Sequence, residues 1–138
     1  MRQDLIFAPL GTLALLTFLP LLLIPILRIR AGAQGEVTWN DFKFGESAAV
    51  PDSVSLPNRN FMNLLQLPLL FYVVCLMYYV TSGVDAKCLI LAWSYVGLRF
   101  VHSGVHLTYN KVSHRMIVFA ASNVFLVSLW IEFFTAPK

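Results

Sequence analysis

The sequence has little charge and much apolar surface. Asp, Glu, Lys and Arg together make up 12% of its 138 residues, whereas hydrophobic residues make up 58%. Soluble domains carry about 25% charged residues, so this composition excludes an ordinary soluble globular domain. The mean hydropathy of +0.71 indicates an integral membrane protein.

Cysteine clusters and basic tracts are also missing. Cys75 and Cys88 lie in different apolar runs, which provides neither a disulfide framework nor the paired spacing of a metal-binding knuckle. No cluster of basic residues stands outside the apolar runs. The net charge of +3 is therefore expected to reflect membrane topology rather than binding of nucleic acid.

Four apolar runs are long enough to cross a bilayer, which takes about 20 residues. They predict an all-α four-helix membrane bundle, a single domain over 1–138, with spans at about 5–27, 61–80, 87–107 and 115–134. A cleaved signal peptide is the alternative for the first run, because Ala31-Gly32-Ala33 resembles a cleavage site. The run exceeds the roughly 7–15 apolar residues of a signal peptide. Arg28 and Arg30 follow it, which also favours an uncleaved helix.

Residues 31–58 form the one long polar connection in the sequence. Aromatic side chains are enriched at membrane interfaces, so Trp39, Phe42 and Phe44 are expected to lie there. A lid over a substrate site is the alternative for these three residues.

The distribution of basic residues predicts the orientation in the membrane. The first and third connections, with their helix ends, contain Arg28, Arg30, Lys43, Arg59, Lys111 and Arg115. The opposite side has Arg2, Lys87 and Lys138. Cytoplasmic connections carry the excess of Lys and Arg. Segments 31–58 and 108–114 are therefore expected in the cytoplasm, with both termini outside it.

Site-directed labelling in intact cells tests this orientation. Cysteines introduced at Gly35 and Asn110 should be protected from an impermeant thiol reagent until the membrane is permeabilised, whereas one at Pro137 should be labelled directly. Labelling at Asn110 without labelling at Pro137 would reverse the predicted orientation.

Two polar stripes interrupt the apolar runs at helical spacing. Arg59, Asn63 and Gln66 form the first, and Arg99, His102, Ser103 and His106 form the second. Residues spaced i, i+3, i+4 and i+7 share one helical face. A charged side chain at bilayer depth costs about 2.5–3.5 kcal/mol on insertion scales. Both stripes and Arg115 are expected at the same end of the bundle, where they can meet.

Less specific interpretations of these residues remain open. Asn63 and Gln66 are typical of hydrogen bonds between transmembrane helices, and Arg59 and Arg115 are long enough to reach lipid headgroups. His102 and His106 have the i, i+4 spacing of a metal-binding pair, with His114 as a third candidate ligand. A metal site is disfavoured because no carboxylate or cysteine occupies a matching position. A hydrogen-bonded His102 in the core and an interfacial His114 are favoured instead.

No acidic residue lies near Arg59, Arg99 and Arg115 in the apolar runs that these arginines begin or end. Glu132 is the one acid within the four apolar runs, at the far end of the last one. Partly buried guanidinium groups without carboxylates favour an anionic ligand, such as a peptide carboxylate, a thiolate or a phosphate.

The sequence resembles the membrane-associated proteins in eicosanoid and glutathione metabolism, the MAPEG family. The resemblance is carried by Arg59-x3-Asn63-x2-Gln66, by Arg99-x2-His102-Ser103-x2-His106, and by Arg115 at the start of the fourth span. It implies a homotrimer, and small residues such as Gly11, Gly97 and Gly104 fit close helix approach. It also implies a bacterial-type member in the inner membrane. Glutathione would lie between protomers near the cytoplasmic face.

The resemblance also implies roles for individual residues. Arg59 and Asn63 match positions that hold the polar ends of glutathione, Arg99 matches an arginine of the same pocket, and Arg115 matches the arginine that stabilises the thiolate. His102 is expected to line this pocket.

Three positions depart from the family pattern. Gln66 replaces a glutamate that meets the amino group of glutathione, and His106 and Phe119 replace tyrosines. The resemblance implies a glutathione-dependent transferase or peroxidase that acts on lipophilic electrophiles. The three departures favour retained binding of glutathione over vigorous transferase activity. The alternative is a non-catalytic membrane protein that holds an anionic lipid or serves as an accessory subunit.

Overall fold

Residues 1–136 are described by the structure, a computed structural model, and their regular elements are helices. Pro137 and Lys138, which enter the topology prediction, lie outside the described residues. The α-helices are α1 (Phe7–Ala33), α2 (Asp52–Leu65), α3 (Pro68–Val80), α4 (Ala86–Leu107) and α5 (Val112–Thr135). Short 3-10 helices cover Gln3–Ile6 and Trp39–Phe42. No β-strand occurs in the described part of the chain.

Four helical segments are long and apolar enough to cross a membrane. They are Gln3–Ala33, Asp52–Val80, Ala86–Leu107 and Val112–Thr135. The second combines α2 and α3 around a break at its middle. The predicted all-α, four-span fold is therefore confirmed.

The polar connection is shorter than 31–58, because α1 continues to Ala33 and α2 begins at Asp52. Pro51 precedes α2 as its N-cap, and the acid of Asp52 lies in the first turn, where a negative charge is favourable. Pro57 lies within α2. Proline is compatible with a helix start but lacks the backbone N–H of a helix interior. Residues 52–58, predicted as part of the connection, nevertheless belong to α2.

Asp41 organises the remaining connection. Its carboxylate accepts hydrogen bonds from the Thr38 N–H at 2.7 Å, the Thr38 hydroxyl at 2.8 Å and the Ser47 hydroxyl at 2.8 Å. These bonds favour the charged carboxylate and hold the pKa of Asp41 below its usual value. The carboxylate thereby fixes the short 3-10 helix Trp39–Phe42.

Two aromatic side chains of this connection are almost fully accessible, Trp39 at 93% and Phe44 at 92%. Arg28 at the end of α1 lies 4.4 Å from the Phe42 ring centre and donates a 2.9 Å hydrogen bond to Glu46. The interface and lid interpretations of the aromatic residues both stay predictions.

The apolar core occupies the half of the bundle nearest the termini. Phe71 of α3 stacks on Tyr95 of α4 with ring centres 4.7 Å apart. Tyr78 of α3 donates a hydrogen bond to the Leu129 carbonyl of α5 and meets Phe133 edge-on. The end of α4, the start of α5 and α2 form the other half, where the buried polar residues collect.

Candidate functional site

Buried polar side chains form one cluster between α2, α4 and α5. Its members on α2 and α4 are at most 3% exposed: Asn60, Arg99, His102, Ser103 and His106. Helix α4 supplies most of them because positions 99, 102, 103 and 106 share one face of this helix, as predicted. Arg115, half-buried at the start of α5, completes the cluster.

Arg99 is a fully buried cation. Its side chain is 0% exposed, Nη2 donates to the Asn63 carbonyl at 3.0 Å, and its guanidinium carbon lies 5.7 Å from the Phe119 ring centre. Nε and Nη1 have no hydrogen-bond partner within residues 1–136. Buried donors without partners are costly, so Arg99 retains unused capacity for an acceptor.

Arg115 connects both histidines. Its Nη1 donates to His106 Nδ1 at 2.7 Å and to Asn110 Oδ1 at 2.7 Å, while its backbone carbonyl accepts a 3.2 Å hydrogen bond from His102 Nδ1. The two imidazole rings are nearly parallel, 14° apart, with centres separated by 6.1 Å. The guanidinium, both rings and the Asn110 amide therefore form a single network.

Asn110 is a functional candidate that sequence reasoning missed. It has a left-handed backbone, with φ of +47°, and its N–H donates to the Val105 carbonyl at 2.8 Å. Asparagine tolerates this conformation better than most residues and commonly ends helices in it. The turn sets the Asn110 side chain against Arg115, and an asparagine just after a helix end is the signal that could have identified it.

Asn60 is the second missed residue. It is fully buried, and its Oδ1 accepts a 3.2 Å hydrogen bond from the Ser103 hydroxyl, which links α2 to α4. Its Nδ2 has no partner in the described part of the protein. The buried face of α2 passes through Pro57, Asn60 and Leu64, at the spacing i, i+3, i+7 of one helical face.

Arg59 and Gln66 lie outside the cluster. Both are exposed, and neither side chain has a hydrogen-bond or ion-pair partner among residues 1–136. The stripe predicted on α2 is therefore divided, since only Asn63 lies beside Arg99. Gln66 caps the end of α2, where the chain breaks before Pro68 starts α3.

A cavity of about 210 Å³ opens beside the cluster. Its lining residues are Asn63, His102, Val112, Arg115, Met116 and Phe119. Polar atoms come from α2, α4 and the first turn of α5, and apolar side chains of α5 form the remaining wall. No carboxylate of residues 1–136 lines the cavity, so its electrostatics favour an anion held beside an apolar group.

The third candidate metal ligand is separate from the histidine pair. The exposed His114 makes a 3.0 Å hydrogen bond through Nδ1 with the Tyr109 hydroxyl. Within residues 1–136, no group of three or more His, Cys, Asp or Glu side chains is placed to hold a metal ion. Glu132 pairs with Lys87, at the end of the bundle opposite the cluster.

Comparison with known proteins gives one family. The model of the MAPEG family matches residues 6–135. No curated protein and no solved structure matches the chain.

Proposed function

Because the chain belongs to the MAPEG family of membrane proteins in eicosanoid and glutathione metabolism, we propose that it binds glutathione and acts as a glutathione-dependent transferase or peroxidase. The second substrate is a lipophilic electrophile or peroxide. The protein is an integral membrane protein of the four-span type. In the proposed orientation, in a bacterial inner membrane with both termini outside, the polar cluster lies at the cytoplasmic side.

The observation that carries the proposal is the cationic cavity without acids. Arg115 lines it, Arg99 lies behind Phe119 with two unused donors, and no carboxylate in the described part of the chain pairs with either arginine. Glutathione provides carboxylates for guanidinium groups and a thiol whose anion a neighbouring cation stabilises. The apolar wall formed by Val112, Met116 and Phe119 suits a lipophilic second substrate.

A homotrimer would explain the residues that stay outside the cluster. Arg59 and Gln66 are exposed in the protomer, although an arginine at membrane depth needs a partner or a headgroup. A Cβ atom at Gly11, Gly97 or Gly104 would meet nothing within 4 Å, which leaves space for a neighbouring helix. We propose that the glutathione site is completed between protomers, with Arg59 and Gln66 on its rim.

In this site Arg115 stabilises the thiolate of glutathione. The half-buried guanidinium supplies a permanent positive charge beside the apolar wall of the cavity, and electrostatic stabilisation at such a site is stronger than in water. Phe119 cannot donate a hydrogen bond to a leaving group. The reaction therefore depends on activation of the glutathione thiolate more than on a hydrogen bond to the leaving group.

An anionic lipid is the second candidate ligand. The same pair of arginines suits a lipid phosphate, and the exposed apolar side chains of the bundle are in contact with membrane lipids. In this alternative the protein is non-catalytic or an accessory subunit.

Replacing Gln66 by glutamate separates the two ligands. Glutathione has an ammonium group, and a hydrogen bond to a charged partner is worth about 1.5–3 kcal/mol against about 0.5–1.5 for a neutral one. Gln66→Glu should therefore tighten glutathione by about 1 kcal/mol, or roughly fivefold. A lipid phosphate without an ammonium group should bind more weakly to this variant. Calorimetric titration of both proteins with glutathione and with a short-chain anionic phospholipid measures the two responses.

Gln34→Glu is the matched control, because Gln34 is also exposed at a helix end and lies on a different helix. It should change neither affinity by more than about 0.5 kcal/mol. Weaker glutathione binding in Gln66→Glu, or lipid binding without any glutathione binding in the unmodified protein, would contradict the proposed function.

A further inference from the structure

The two histidines of the cluster have different hydrogen-bond roles, and Arg115 fixes both. A guanidinium group donates hydrogen bonds and accepts none. The 2.7 Å contact with Arg115 Nη1 therefore makes His106 Nδ1 an acceptor, which places the ring proton on Nε2. His106 is a neutral imidazole with no lone pair left to receive another proton.

His102 has the opposite arrangement. Its Nδ1 lies 3.2 Å from the Arg115 backbone carbonyl, and a carbonyl oxygen only accepts, so Nδ1 carries the proton. In the neutral ring the lone pair is then on Nε2. That atom is buried and has no partner in residues 1–136, although His102 lines the cavity of about 210 Å³.

The charged groups that face His102 are cations. Arg99 approaches from its own helix, where its guanidinium and the His102 ring both lie against Phe119, and Arg115 approaches from α5, while the neighbour from α2 is the neutral Asn63. His106, the other titratable group nearby, is held neutral by Arg115. A proton added to His102 becomes favourable when a negative charge forms beside it in the cavity.

We propose that His102 Nε2 accepts the proton of the glutathione thiol, an inference that rests on the proposed glutathione binding. The S–H bond breaks, sulfur keeps the electron pair, and the proton adds to the Nε2 lone pair. No oxidant or other reactant is needed. The thiolate then lies between the imidazolium of His102 and the guanidinium of Arg115, and His106 acts as a positioning residue that holds Arg115.

The proton inventory of binding tests this assignment. If His102 takes the thiol proton, thiolate absorbance should appear when glutathione binds, with almost no proton released to the buffer. Calorimetric titration in buffers of different ionisation enthalpy counts the released protons. His102→Asn keeps a side-chain N–H for the Arg115 carbonyl but removes the second ring nitrogen. In this variant about one proton should reach the buffer for each thiolate formed.

His114→Asn is the matched control, since the exposed His114 lies outside the cluster, where it is hydrogen-bonded to Tyr109. It should release almost no protons, like the unmodified protein. A thioether analogue of glutathione, which has no thiol proton, should bind His102→Asn and the unmodified protein equally well if the fold is intact.

Release of one proton per thiolate by the unmodified protein would overturn the assignment, whatever the variants do. Almost no release by His102→Asn with undiminished thiolate would also overturn it. Glutathione binding without any thiolate would refute the role of His102 while leaving the proposed ligand in place. Failure of both glutathione and its thioether analogue to bind would instead refute the proposed function, and the role of His102 with it.

Discussion

Arg115→Ala should remove most of the thiolate from bound glutathione. A positive charge within about 4–6 Å typically changes a thiol's ionisation equilibrium by tenfold or more, and Arg115 is the guanidinium group that lines the cavity. At neutral pH the thiolate fraction of bound glutathione should therefore fall by about tenfold or more. Thiolate absorbance of the complex, followed against pH, measures the change.

Two further substitutions distinguish charge from geometry. Arg115→Lys keeps a cation but loses the planar donor fork, so it should retain part of the thiolate. His106→Phe removes the acceptor held by Arg115 at 2.7 Å but no charge, so most of the thiolate should remain. Unchanged ionisation in Arg115→Ala, with loss of thiolate in His106→Phe, would assign the stabilising role to the histidine instead.

The part of the site on α4 and α5 was predictable from sequence because it depends on local geometry. Positions 99, 102, 103 and 106 share a face in any regular α-helix. The connection from α4 to α5 is short, so Arg115 must lie near the end of α4. These residues do cluster, and two of them, His102 and Arg115, line the cavity.

Which face of α2 packs against the other helices was harder to predict. Arg59, Asn63 and Gln66 are spaced correctly for a helical stripe, yet Asn60 is buried while Arg59 and Gln66 are exposed. A helix that carries polar residues on more than one face does not reveal from its sequence which face packs inward. That choice depends on the Ser103 hydroxyl and the Arg99 guanidinium opposite, contacts made between α2 and α4.

Helix ends near proline were misjudged for a related reason. Residues 52–58 were predicted as part of the connection, but they form the first turns of α2, and Pro57 lies inside it. Proline disfavours a helix interior on average, whereas tertiary packing decides the individual case. Val54, Ser55 and Pro57 are all buried, and this packing holds the first turns of α2 in place.

Arg99→Met should make the ligand-free protein more stable and abolish its response to glutathione. Arg99 is 0% exposed and has two donors without partners. Replacing a buried ion pair by apolar side chains of similar size often stabilises a protein by about 1–4 kcal/mol, and Arg99 lacks even a carboxylate of residues 1–136 to offset its burial. The loss of the hydrogen bond to the Asn63 carbonyl destabilises the variant by about 1 kcal/mol, which reduces this gain. The free energy of unfolding should therefore rise by about 1–3 kcal/mol.

Thermal denaturation in detergent, with and without glutathione, measures both effects. The exposed Arg59 provides the matched control, since Arg59→Met should change the stability of the ligand-free protein by no more than about 0.5 kcal/mol. If Arg99→Met were instead less stable without ligand, the arginine would serve chiefly to hold the Asn63 carbonyl at the end of α2. A buried cation that destabilises the empty protein, and whose removal abolishes stabilisation by glutathione, is retained because an anion occupies the site.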